Sequence, residues 1–134
     1  MKKRKNHEDN IHLAIANYIR AQYPGVLFLS DGAGVRVSSM RQAVQMAKLR
    51  NPSRGWPDLF IPKKNHRHGF GGLFLELKKD RSEVYTKSGK LRNNKHIQEQ
   101  QLVLDKLWIL GYQAQWGLGF DDARQKIDAY LRES

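Results

Sequence analysis

Two apolar runs in the middle of the chain each carry charge. Asp58 opens Leu59-Phe60-Ile61, while Glu76 and Lys78 lie inside Leu73-Phe74-Leu75-Glu76-Leu77-Lys78. Side chains alternate faces along a strand, so Phe74, Glu76 and Lys78 share one side and Leu73, Leu75 and Leu77 the other. Glu76 and Lys78 then stand about 7 Å apart at the backbone, pointing the same way. An antiparallel pairing of the two runs would bring Asp58 near Glu76. Two carboxylates converging in a partly desolvated cleft repel one another and favour a divalent cation between them. Oxygen donors, in a chain with no cysteine, point to Mg²⁺ or Mn²⁺ rather than zinc. A plainer reading stands beside this one: Glu76 and Lys78 on the exposed face of an antiparallel strand, and Pro57-Asp58 a simple turn. The coincidence of three charges in apolar strands beside a Gly-x-Pro turn favours the first.

Two further polar residues break the pattern around them. Glu8 lies one turn before Ile11 and borders the apolar edge of a helix; it either complements the helix N-terminus or reaches a metal. Gln100 is four residues before Leu104 and seven before Leu107, which sets an amide within an apolar stripe. Such a group needs a partner, whether in a site or at a neighbouring carbonyl.

The elements that must position these residues follow from periodicity. Ile11, Ala14, Ile15, Tyr18 and Ile19 give a helix over 8–22, ended by Pro24-Gly25. A short buried strand is expected at 26–29 and a flexible loop at 30–34. Ser39 and Gln42 form a capping box for a helix that buries Met40, Ala43, Val44 and Ala47 and stops at Asn51-Pro52. Strands at 58–62 and 72–78 follow, joined by a basic connection rich in Gly and His. Residues 79–95 show no usable period and read as a long mobile loop. A helix over 96–110 carries Ile97, Leu104, Leu107 and Trp108 on one stripe and ends at Gly111. A strand at 112–116 leads to a last helix, capped by Asp121 or Asp122, that packs Ala123, Ile127, Tyr130 and Leu131. The order predicts an α/β fold, a mixed central sheet flanked by helices. The expected organisation is a basic, flexible arm over 1–7 and one domain over 8–134.

Bulk composition narrows the partner. The chain has 134 residues, 40 % hydrophobic and 28 % charged, enough for a single core. Lys and Arg outnumber Asp and Glu by 24 to 13, a net +11 that favours polyanions. Arg36, Arg41, Lys48, Lys79, Arg81, Lys87, Lys90 and Arg92 are the candidate phosphate contacts, and Lys2 to Lys5 add nonspecific affinity. No apolar stretch approaches the roughly 18–20 residues of a membrane span, and no signal-type segment follows the N-terminus. A cytoplasmic protein without a nucleotide cofactor is expected, since Gly69-Phe70-Gly71-Gly72 precedes a strand and Thr86 to Lys90 lacks P-loop spacing. His66-Arg67-His68 reads as a solvated loop; Trp56, beside Asp58, either stacks on a base or fills a gap, and packing is the favoured reading.

Gly55-Trp56-Pro57-Asp58, Glu76-Leu77-Lys78 and Gln100 together resemble the VRR-NUC domain, the virus-type replication-repair nuclease branch of the PD-(D/E)XK phosphodiesterases. The segment from Ala33 to Ile61, with an arginine-containing helix leading into Gly-x-Pro-Asp, strengthens the resemblance, as does Glu8 at the start of the first helix. It spans nearly the whole chain, in the manner of stand-alone members from phages and prophages. The resemblance implies a restriction-endonuclease-like core, with Asp58, Glu76 and the Leu77 carbonyl as metal ligands and Glu8 binding the metal directly or through water. It further implies Lys78 as the group orienting the attacking water and Gln100 as support. His12 stands where the family often has glutamine, and the 79–95 segment is longer and more basic than is common. The expected activity is Mg²⁺-dependent hydrolysis of DNA, with Mn²⁺ able to substitute, on branched substrates and by a homodimer, in a bacterial or phage-infected cell. A noncatalytic basic module that binds DNA or RNA is the alternative.

Overall fold

A computed structural model of the chain describes residues 7–30 and 55–133, with the side chains of residues 7–10 left out. The capping box at Ser39 and the helix expected after it lie outside the described residues. So do residues 1–6 of the basic arm, whose last residue, His7, already begins the first helix.

Helix α1 (His7–Gln22) buries Ile15, Ala16 and Ile19, the stripe its 3.6-residue period requires. The chain turns at Pro24-Gly25 and reaches β1 (Leu29–Ser30). The strand expected over 26–29 is thus two residues long and displaced, and Leu27 and Leu29 are exposed rather than buried. Its partner β2 (Leu59–Ile61) offers only Leu59 and Phe60 for pairing, which limits how far β1 can extend.

Strand β3 (Leu73–Lys78) is antiparallel to β2, with Leu59 opposite Leu75 and Ile61 opposite Leu73. It runs parallel to β4 (Gln113–Leu118), giving a mixed sheet in the order β1-β2-β3-β4. Between them, α2 (Lys95–Ile109) makes the crossover that parallel strands require. The last helix, α3 (Phe120–Arg132), returns over the opposite face.

The two faces of β3 enter two cores. Leu73, Leu75 and Leu77 meet Ile15 and Ile19 of α1 and Ala123 and Ile127 of α3. Phe74 joins Ala114, Trp116 and the α2 residues Ile97, Val103, Leu104 and Leu107. Every residue of β3 is buried. The alternative of an exposed strand face therefore fails, because α2 covers the side on which Glu76 and Lys78 stand.

The interval 79–95 is not the unstructured loop expected. Asp80 accepts from the Ser82 backbone N–H and caps a 3₁₀ turn, Arg81–Glu83. Val84 is fully buried, Tyr85 and Leu91 form an antiparallel bridge, and Thr86 N–H donates to the Lys90 carbonyl across a tight turn. Asn94 then caps α2 by accepting from Ile97 N–H at 3.0 Å. Helix α3 also begins differently from expectation: Gly119 is its N-cap with no side-chain cap, and Asp121 and Asp122 lie in the first turn.

Strand β4 is at the end of the sheet, yet side chains occupy its outer edge. Trp108 Nε1–H donates to the Ala114 carbonyl at 2.6 Å and Lys126 Nζ to the Trp116 carbonyl at 2.6 Å. Leu118 N–H donates to Asp122 Oδ2 at 2.9 Å. This explains why Trp108, expected in the buried stripe, is partly exposed. It also blunts an edge that would otherwise template pairing.

Candidate active site

Extending the β2–β3 register by one residue sets Asp58 opposite Glu76. The side chains follow that geometry. Asp58 Oδ2 accepts from the Leu77 backbone N–H at 3.1 Å, and the Glu76 carboxyl lies close enough to act on that of Asp58. Glu76 is 3 % exposed and Lys78, two residues on along the same face, 6 %. Gln100, 4 % exposed on α2, donates from Nε2 to Glu76 Oε2 at 2.9 Å. The amide that interrupts the α2 stripe is thus directed at the carboxylate that interrupts β3.

Gly55 explains how the segment before Asp58 reaches this position. Its φ of +87° is open to glycine at little cost, and a Cβ there would lie 2.9 Å from Gln100 N. The bare backbone lets Gly55 rest directly on the first turns of α2, so Asp58 and Gln100 approach Glu76 from two sides.

Helix α1 supplies a residue that the sequence reading noted only as a departure. His12 is buried, with Nε2 3.4 Å from Asp58 Oδ2. Its signal in the sequence was position: one residue after Ile11 and three before Ile15, at the margin of the apolar stripe. Burial pushes the Asp58 carboxyl up, but the hydrogen bonds with His12 and Glu76, the imidazole's charge and the Leu77 N–H more than offset it. The net shift is below the ordinary carboxylate range.

These donors suit a hard divalent ion. Two carboxyls this close need either a shared proton or a cation to hold them together. Gln100 Oε1 adds a buried acceptor that has no hydrogen-bond partner among the described residues. Among those residues, no three His, Asp or Glu side chains form a complete cation-holding group. An ion held here would need further donors; the Leu77 carbonyl and Glu8 are the candidates, the backbone of Glu8 lying in the first turn of α1 and its side chain outside the described residues.

The basic residues separate by what they already hold. Arg92 Nε donates to the Ser82 carbonyl at 2.6 Å, and Arg81 lies over the Tyr85 ring at 4.8 Å, so both brace the 79–95 segment. Lys79 lies 3.9 Å from Glu83. Lys87 and Lys90 flank the exposed turn at its tip. Arg36, Arg41 and Lys48 are outside the described residues. His66 and Arg67 are exposed, while His68 pairs with Glu133 at 2.9 Å instead of joining a metal cluster.

No protein-family model matches the sequence, and no curated protein matches it. The fold does align with a solved structure described as a "VRR_NUC domain protein", at a TM-score of 0.63 and 19 % identity, covering 98 % of this chain and 93 % of that one. The α/β sheet, its mixed pairing and its flanking helices are accordingly the fold of a VRR_NUC domain protein.

Proposed function

We infer that the protein is a Mg²⁺-dependent DNA endonuclease, with Mn²⁺ able to substitute, selective for branched DNA such as four-way junctions or flaps. The observation that carries this reading is the convergence of Asp58, immediately before β2, and Glu76 of the antiparallel β3, with Lys78 on the same buried face as Glu76. The description of the structural neighbour as a VRR_NUC protein supports a nuclease, and the +11 charge supports a polyanionic substrate.

Asp58, Glu76, the Leu77 carbonyl and Glu8 would hold the ion. When bound, it supplies positive charge to the non-bridging and departing oxygens and acidity to the attacking water. The chain's own groups do the rest. Gln100 fixes one oxygen of Glu76, and the Leu77 N–H and His12 fix the Asp58 carboxyl. Lys78 orients the water and compensates the charge that grows on the phosphate oxygens. Lys87 and Lys90, at the tip of the braced segment, meet the flanking backbone. Cutting both strands of a branch symmetrically is easiest with two related sites, hence a homodimer. The reading places the enzyme in the cytoplasm of a bacterial or phage-infected cell.

The test is cleavage of plasmid, flap and four-way-junction DNA with Mg²⁺ and with Mn²⁺, by wild type, Lys78→Ala and Asp58→Asn. Each variant is expected to lose about 10²–10³-fold in rate while still binding DNA. Variants as active as wild type would overturn the reading. DNA binding that is indifferent to metal, without cleavage, would leave a noncatalytic module.

A further inference from the structure

Trp56 stands two residues before Asp58, yet it is 40 % exposed. Simple packing does not describe it. Its ring lies 6.3 Å from Phe74 at a tilt of 59°, and Phe74 stacks on Phe60 at 4.3 Å and meets Tyr112 edge-on at 5.3 Å. The indole is therefore the open end of an aromatic stack whose inner members already fill the core. Phe74 shares its strand face with Glu76 and Lys78, which puts the indole beside the carboxylates on the same side of the sheet.

The backbone around it has little freedom to withdraw the ring. Gly55, before it, rests against Gln100; Pro57, after it, is buried with its φ fixed by the pyrrolidine; Asp58 is bonded to Leu77 N–H. A large, rigid, half-open π surface next to a phosphate-directed site matches one partner chemistry: the face of a nucleobase. In an intact duplex those faces are covered by the neighbouring pairs. An indole reaches one only where the base has left the stack.

We propose that Trp56 is a base-stacking platform and that the site takes its nucleotide from an unpaired or splayed strand. This rests on the DNA-cleaving reading above and makes it specific: the substrate is DNA with an unpaired base next to the cut. Aromatic stacking tolerates any base, so the selectivity concerns strand geometry rather than sequence.

The experiment uses the full chain in EDTA, so that nothing is cut, with three probes: oligothymidylate, a forked duplex and a blunt duplex of equal length. Wild type binds the first two more tightly than the blunt duplex, and its tryptophan emission is quenched on binding. Trp56→Ala is expected to lose about tenfold in affinity for the single strand and the fork, but less than twofold for the blunt duplex. Trp56→Phe, which keeps a ring, recovers most of that affinity and abolishes most of the quenching. A fork-to-duplex affinity ratio unchanged in Trp56→Ala, or wild-type quenching retained in full by Trp56→Phe, would overturn the platform and leave the nuclease reading standing. No binding of any probe by wild type would also overturn the platform, while the nuclease reading is decided separately by cleavage in Mg²⁺.

Discussion

At Gly55 the backbone must be bare for two reasons at once. The positive φ disfavours any side chain, and a Cβ would press on Gln100 N at 2.9 Å, where the neighbour is backbone and cannot swing aside. Gly55→Ala should therefore cost about 1–3 kcal/mol in chemical denaturation. It should also lower cleavage beyond what that loss explains, because Asp58 and the helix bearing Gln100 would part. A variant with wild-type stability and rate would show that the close approach is dispensable. At this scale much was legible in the sequence: Asp58, Glu76, Lys78 and Gln100 each violated a local hydrophobic pattern, and a violated pattern shows in one dimension. The contact between His12 and Asp58 was not legible, since it depends on how α1 packs over the β3 face of the sheet.

Elements are joined by polar groups that no periodicity announces. Asp128, buried on α3, accepts from Tyr18 at 2.7 and 2.9 Å and from Tyr23 at 2.6 Å, and Arg124 lies 3.3 Å away. This carboxylate ties α1, with His12, to α3. Burial pushes it up, but the two tyrosine hydroxyls and then the Arg132 and Arg124 charges pull it below its ordinary value. A depressed carboxylate stabilises the fold fully above its unfolded pKa, about 3.9. That contribution is lost as pH falls through the lower folded value. Asp128→Asn should cost about 1.5–3 kcal/mol at pH 7 and flatten the loss of stability below about pH 4, read by urea unfolding across pH. An unchanged pH profile would contradict the assignment. The α3 stripe of Ile127, Tyr130 and Leu131 is legible in the sequence; this clamp is not, because its partner Tyr18 is 110 residues distant. The 79–95 segment was missed for a different reason: a single 3₁₀ turn and one tight turn are too short to show a period, and only Val84 signals burial.

For the molecule as a whole, the sheet order and both cores serve to bury β3 on two sides, so its charged residues are held where water is scarce. The α/β class and the antiparallel approach of β2 to β3 followed from the apolar runs and turn residues. The β1 register and the length of β4 did not. Gly117 weakened the strand pattern, although a Cβ there would meet Leu77 and Ala123 at 2.9 and 3.0 Å, contacts that only the folded chain makes. No helix among the described residues is long and apolar enough to cross a membrane. The net charge of +11 favours a polyanionic partner.

Isothermal titration of Mn²⁺ into wild type, Glu76→Gln and Asp58→Asn tests most directly whether the paired carboxylates serve a cation. One saturable site in wild type, weakened at least tenfold in both variants while each keeps its fold, is the predicted result. No saturable heat in wild type, or equal affinity in all three proteins, would contradict it.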